Sequence, residues 1–142
     1  MDNLTLTVGG VDWTGWESIQ ASRSVDAMAG AFSLGLADRV QYGGAILPLS
    51  PGMECVLSCG SDTLVTGFID SVSQSLDSGR HGITVSGRDK SADLVDASAV
   101  HTPGSWKVAS LMDICTALCA PFGVAVTLEG NQGQPFTAFQ IQ

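Results

Sequence analysis

Positive charge is scarce in this sequence. Six Lys and Arg residues stand against 14 Asp and Glu, which gives a formal net charge of −8 and a pI near 4.3. Proteins that wrap nucleic acid bind its phosphates through clustered Lys and Arg. The composition therefore excludes such a protein, although an acidic wall would let DNA pass without sticking, because like charges repel.

Charge of either sign is also low. Charged residues make up 14% of the chain, against roughly 25% in an ordinary soluble domain. Hydrophobic residues make up 44%, enough for a substantial core. A free monomer normally carries more surface charge than this, so we infer that much of the surface contacts other protein.

The sequence has no long hydrophobic run. The longest uncharged stretch, residues 114–128, has 15 residues and includes Pro121, whereas a membrane-spanning helix needs about 18. The N-terminus lacks the basic segment of a signal peptide, since the first arginine is Arg23. We expect that the chain does not insert into a membrane. We also expect that it is synthesised in the cytoplasm.

Cysteine is sparse and arranged as two Cys-x-x-x-Cys pairs, Cys55/Cys59 and Cys115/Cys119. Residues 53–59 read as a strand, and four strand residues span about 13 Å. That distance prevents Cys55 and Cys59 from sharing a zinc ion or forming a disulfide. The pattern favours small buried thiols.

The first ninety residues alternate between apolar and polar positions, which indicates strands. Ile19 and Ala21 are expected to point inward. About six strands at this spacing predict an antiparallel barrel or sandwich over residues 1–97. They are expected at residues 4–8, 17–24, 31–37, 53–59, 63–74 and 83–87.

The pattern changes after a boundary expected at residues 97–104. Helical spacing predicts one helix over about residues 106–120, with Ser105 as its N-cap. A strand is expected at residues 124–128, and another begins at Phe136. The fold class is thus mainly β, followed by the start of a smaller α/β domain over residues 98–142, which we expect to be truncated.

Arg88, Asp89 and Lys90 end a predicted strand and allow two interpretations. A catalytic site needs a base, and only His81 and His101 supply histidine, neither in a recognisable motif. A structural corner needs Gly87 to let the chain bend and a carboxylate for Arg88 from Asp70, Asp93 or Asp96. Asp89 or Ser91 would cap the short helical turn that follows. The sequence favours the corner and predicts no enzyme.

The other motifs give weaker evidence of function. Neither Gly-Gly pair is followed by the Gly-Lys-Ser/Thr of a phosphate loop, and the acids lack calcium-loop spacing. We expect no cofactor and no metal. Trp13, Trp16 and Trp106 leave a carbohydrate-binding β module open as an alternative, although Trp more often lies in a core or an interface.

Several short motifs follow one another at a characteristic spacing over nearly the whole chain. They are Gly15-Trp16, Arg23-Ser24, Gly30-Ala31-Phe32, Pro51-Gly52, Gly67-Phe68-Ile69-Asp70, Ser86-Gly87-Arg88-Asp89-Lys90 and Asp93-Leu94-Val95-Asp96. In order and spacing these motifs resemble the baseplate hub protein of Mu-like contractile phage tails, whose relatives include type VI secretion spike hub domains.

The resemblance implies a virion protein without an active site. Its expected form is a homotrimer that adapts the hexameric tail tube to the trimeric spike, with two tube-like domains in each subunit. Expected partners are the tail tube protein, the central spike, the tape measure protein and other baseplate proteins. Genomic DNA would pass through without specific binding, and assembly would occur in the host bacterial cytoplasm. A cell-wall hydrolase-associated tail domain is a further alternative. The structural corner comprises Gly67, Asp70, Gly87, Arg88, Asp89, Asp93 and Asp96.

Overall fold

The chain divides into two compact units, Met1–Ala92 and Asp93–Gln142. The computed structural model describes residues 4–37, 48–77, 80–99 and 104–141. In that part of the chain, no helix is both long and apolar enough to cross a membrane.

The first unit is an antiparallel β-sheet of seven strands. Neighbouring strands follow the order β2-β1-β5-β6-β7-β4-β3, so β2 and β3 are the edge strands among the described residues. The prediction of a mainly antiparallel β fold is confirmed. The strands are β1 (Leu4–Val8), β2 (Val11–Trp13), β3 (Ser18–Ser22), β4 (Ala31–Ala37), β5 (Glu54–Cys59), β6 (Asp62–Asp77) and β7 (Arg80–Asp89).

One face of this sheet carries the core. Leu4, Leu6 and Val8 are buried in β1 while the two threonines between them are half-buried, as strand alternation requires. Leu6 lies opposite Leu57 of β5, and both are completely buried. The remaining buried members of the cluster are Trp13, Phe32, Leu34, Leu49, Cys55, Val65, Ile69 and Val85.

Strand β3 departs from the expected burial. Ile19 lies opposite Leu34 and Ala21 opposite Phe32, and directly opposed residues share one face of a sheet. Both therefore lie on the core face, yet all five residues of β3 are exposed. Ile19 and Ala21 thus lie on the core face, as expected, but they are not buried, because β3 lies at the edge of the described sheet, where the core ends.

The second unit is small and mixed. It contains α1 (Ala92–Asp96, beginning at the last residue of the first unit), β8 (Ser105–Ala109), α2 (Leu111–Cys119), a 3-10 turn (Ala120–Phe122) and β9 (Phe136–Gln140). Strands β8 and β9 pair antiparallel, which confirms the strand expected from Phe136. The ring of Trp106 packs against Phe139 at 5.8 Å between centroids.

Two predictions for this unit were wrong. The helix begins at Leu111, not Trp106, and its N-cap is Ser110, not Ser105, which lies in β8. Pairing with β9 holds residues 105–109 extended despite their helical spacing. Residues 124–128 are not a strand, since they have no strand partner in the described part of the chain.

The N-terminus of α2 is a capping box. The Asp113 N–H donates to Ser110 Oγ at 3.1 Å, and the Ser110 N–H donates to Asp113 Oδ2 at 3.1 Å. These bonds satisfy two backbone donors that a helix leaves unpaired at its start. The side-chain and backbone bonds from Ser110 also hold the pKa of Asp113 below its ordinary value.

Replacing Ser110 by alanine should destabilise α2 by about 1 kcal/mol, because the N-cap acceptor is lost. We expect faster amide hydrogen exchange in the first turn of α2. Thr116→Ala, at an exposed position within the helix, is the control and should not accelerate exchange. The pKa of Asp113 is lowered, so the ionised carboxylate contributes fully to the stability of the folded state at neutral pH. This contribution is lost as the pH falls through the lowered pKa. Unchanged exchange in Ser110→Ala would contradict the cap.

Candidate functional site at the end of strand β7

Asp89, the last residue of β7, joins the end of that strand to the start of β4. Its N–H donates to the Gly30 carbonyl at 3.0 Å, and the Gly30 N–H donates to Asp89 Oδ2 at 2.7 Å. Hydrogen bonds to an ionised carboxylate are stronger than neutral ones. One aspartate thus closes a two-way bridge between segments 59 residues apart in the sequence.

The other oxygen of Asp89 fixes the chain as it leaves the sheet. Asp89 Oδ1 accepts from the Ser91 N–H at 3.0 Å. The Ser91 hydroxyl lies within hydrogen-bond distance of Asp89 Oδ1 and of the Met28 carbonyl, the latter at 2.6 Å. The Lys90 N–H donates to the Thr66 carbonyl at 3.1 Å. Asp89 therefore organises the residues directly before α1.

Three glycines permit the close approach of backbone around this aspartate. A Cβ on Gly67 would lie 1.9 Å from the Arg88 carbonyl oxygen, and a Cβ on Gly30 would lie 2.9 Å from Asp89 Oδ2. At Gly87 it would lie 2.3 Å from the Phe68 carbonyl oxygen and 2.6 Å from the Phe32 ring. None of the three has positive φ, so space rather than backbone conformation requires glycine.

The role of Gly87 differs from the expected one. Gly87 does not bend the chain out of the sheet; it lies within β7 and pairs with Phe32 on one side and Ile69 on the other. The Phe32 ring covers it, as aromatic rings often cover a glycine in a strand. The chain leaves the sheet three residues later, where Lys90 and Ser91 precede α1.

Arg88 binds Asp70 through two nitrogens. Arg88 Nε donates to Asp70 Oδ2 at 2.7 Å and Nη2 donates to Oδ1 at 3.4 Å. The register between β6 and β7 shifts between Ile69 and Ser71, so Asp70 is the extra residue of a β-bulge. Of the three candidate carboxylates, Asp70 is the one whose contact with Arg88 the strand pairing of the first unit explains.

Loss of the Arg88–Asp70 ion pair in Arg88→Ala should lower the free energy of unfolding by at most about 1 kcal/mol, the usual range for an exposed ion pair. A partly buried pair would cost about 1–3 kcal/mol, but the two side chains are 36% and 40% exposed. Urea denaturation measures the change, and Asp70→Ala should give a similar loss. A loss well above that range in Arg88→Ala alone would show that another contact of Arg88 matters more.

A second ion pair lies in the same row of the sheet. Glu54, Phe68 and Arg88 are cross-strand neighbours on β5, β6 and β7. Lys90 Nζ lies 3.7 Å from Glu54 Oε1 and 5.9 Å from the centre of the Phe68 ring. Sequence reasoning missed Glu54 and Phe68 as partners, because only the strand register brings them beside the corner.

The described contacts of the corner do not include a histidine. His81 lies in β7 opposite Leu76 rather than in the hairpin turn, and His101 lies outside the described residues. Asp89 and Ser91 contact each other, but their described contacts include no histidine. Within the same part of the chain, no group of three or more His, Cys, Asp or Glu is placed to hold a metal ion.

The cysteines of the first unit fit the interpretation as core thiols. Cys55 is buried, and its burial, with a smaller contribution from Asp70, raises its pKa to about 11. A thiol with this pKa stays protonated at neutral pH and is a poor nucleophile and metal ligand. Cys59 packs against the core, and none of the four cysteines forms a disulfide.

The tryptophans of the first unit do not form a sugar-stacking surface. Trp13 is buried in the core, and Trp16 packs against that core. Trp106 belongs to the aromatic group of β8 and β9 in the second unit. Burial of Trp13 leaves its ring without a face that a carbohydrate could contact.

Two family models match the chain in tandem. The first, described as Mu phage baseplate assembly protein GpP-like, N-terminal, matches residues 3–89. The second, described as baseplate hub protein gp44-like, second domain, matches residues 91–142. These matches follow the two compact units closely.

Three known proteins are also similar to this chain. Baseplate hub protein gp44 of Escherichia phage Mu is 39% identical over 97% of this chain, which covers 36% of that protein. The 43 kDa tail protein of prophage MuSo2 from Shewanella oneidensis is 36% identical, with a TM-score of 0.91 over 99% of this chain and 44% of that one. A tail protein from Neisseria meningitidis MC58, 23% identical, shares the fold with a TM-score of 0.81, over 99% of this chain and 40% of that one. The chain thus spans less than half the length of these relatives.

Proposed function

The chain belongs to the family of Mu-like baseplate hub proteins, and from this premise we propose that it is part of a hub subunit that joins the tail tube to the spike. The family consists of structural components of the phage baseplate. In the proposed assembly, three subunits form a ring at the tip of a contractile tail, and two tube-like domains in each subunit match a hexameric tube to a trimeric spike.

The tandem family matches carry this proposal, because they place a hub-type β unit and a hub-type second domain in the order that the relatives have. The low charge content agrees with a chain whose surface is largely covered by other proteins. The proposed partners are further copies of the chain, the tail tube protein, the spike, the tape measure protein and other baseplate proteins. Assembly would take place in the host cytoplasm, without membrane insertion.

We further propose that the ring surrounds a passage for DNA and that β6 contributes to its wall. Thr66, Ser71 and Ser73 are exposed on this strand. The net charge of −8 disfavours attachment of phosphate groups through like-charge repulsion. DNA would therefore pass without specific binding.

The corner has a structural role in this proposal. Gly67 and Gly87 let β6 and β7 approach, Asp70 holds Arg88, and Asp89 fixes the residues that lead to α1. Asp93 and Asp96 lie on that helix, next in the chain. The corner would thus fix the direction in which the chain leaves the hub-type β unit.

The test uses the full-length protein that contains this chain. We expect its mass in solution, measured by native mass spectrometry, to be that of a trimer. Electron microscopy of tail tips should place it between tube and spike, with an acidic channel lining. A protein that stays monomeric and absent from this junction, or a basic channel, would refute the proposal. Peptidoglycan and sugar-ester hydrolysis assays should give background rates; turnover abolished by changing His81 or His101 would overturn the non-enzymatic assignment.

A further inference from the structure

Strand β3 is an edge strand without the usual protection. It pairs with β4 on one side, and all five of its residues are exposed. Its sequence, Ser-Ile-Gln-Ala-Ser, has no charged residue and no proline. Natural proteins normally place such residues on an edge strand to prevent pairing with another chain. An edge that lacks them is suited to pairing.

The core is open at this edge. Ile19 lies beside completely buried Leu34 on the core face of the sheet. Even so, 53% of Ile19 is exposed, and nothing in the described part of the chain covers it. Val25 and Met28, in the segment between β3 and β4, add two more exposed apolar side chains. This end of the sheet therefore offers apolar surface beside a strand edge that pairs with no other strand in the described part of the chain.

The opposite edge differs. Strand β2 has only three residues, and Asp12 stands in its middle, with a carboxylate that accepts from Thr7 Oγ1 at 2.7 Å. Short length and a central charge are both features of a protected edge. Val11 on this strand is 54% exposed, which closely matches Ile19. The sheet thus has one protected edge and one open edge.

We propose that the β3 edge is where a second copy of the full-length chain docks, covering Ile19 and Ala21. Each copy of this part of the chain carries a net charge of −8, so two copies repel each other unless their contact avoids the acids. Strands β3 and β4 together contain no charged residue, which makes this side favourable for self-association. The inference rests on the homotrimer proposed above and adds the surface through which copies meet.

Two matched variants of the full-length protein test this surface. Ile19→Lys places a charge in the contact and should raise the dissociation constant for self-association at least about tenfold. Val11→Lys makes the same change at the protected edge and should leave assembly unchanged. Native mass spectrometry over a dilution series measures the oligomeric state at each concentration. Circular dichroism checks that both variants are folded. Equal weakening by both variants would overturn the proposal.

A photo-reactive residue at position 19 gives a second readout that does not depend on the lysine variant. We expect a covalent link between two copies of the chain. A link only to another tail protein, or none between copies in a protein that is trimeric, would overturn the β3 interface while leaving the proposed function intact. A wild-type protein that is monomeric at every concentration would instead refute the proposed homotrimer.

Discussion

Gly67→Ala is expected to lower the free energy of unfolding by about 3 kcal/mol or more, at or beyond the upper end of ordinary overpacking costs. The new Cβ would lie 1.9 Å from the Arg88 carbonyl oxygen and 2.5 Å from the Asp89 Cα. Both obstacles are backbone atoms of the paired strand, so no side-chain rotation relieves the clash. Strands β6 and β7 would have to separate, which breaks ladder hydrogen bonds in the centre of the sheet.

Urea denaturation followed by tryptophan fluorescence measures this loss, because Trp13 is buried in the affected unit. Gly82→Ala is the matched control on the same pair of strands. Among the described atoms, its Cβ would meet the Ser75 hydroxyl, at 2.8 Å, and that hydroxyl can rotate away. An insoluble Gly67→Ala beside a soluble Gly82→Ala would agree with the prediction. Equal stability of the two variants would contradict it.

Asp89→Ala should cost about 2–3 kcal/mol, because the part-buried N–H groups of Gly30 and Ser91 lose a charged acceptor. Asp89→Asn should destabilise the protein less than Asp89→Ala does, but it should not restore the wild-type stability. An amide has one acceptor oxygen, and its NH2 group would face one of the two N–H donors. Chemical denaturation gives the change in unfolding free energy, and faster amide exchange at Gly30 and Ser91 would show where the bonds are lost.

Asp70→Asn is the control for charge removal alone. Asp70 is 40% exposed and its ion pair with Arg88 reaches solvent, so we expect a loss of at most about 1 kcal/mol. The contrast between two Asp→Asn changes separates the part-buried backbone contacts of Asp89 from simple loss of negative charge. Equal losses at the two positions would show that Asp89 does not hold the corner.

The candidate site was predictable in its residue types and less so in its geometry. Arg88 at a strand end, near several acids, pointed to an ion pair, and the structure provides Asp70. The contact with Asp70 depends on a β-bulge, which the sequence pattern does not predict. The bond from Gly30 to Asp89 joins residues 59 positions apart and depends on the pairing of β4 with β7.

Local patterns by themselves determined the class of the fold. Alternation of apolar and polar residues is a property of neighbouring positions, so Leu4, Leu6 and Val8 revealed their strand before any partner was known. Tertiary structure decided what depends on distant partners. Pairing with β9 made residues 105–109 a strand, and the edge position of β3 left Ile19 exposed although it lies on the core face. The physical reason is that side-chain periodicity is encoded locally, whereas strand order, register and burial arise only when remote segments pair.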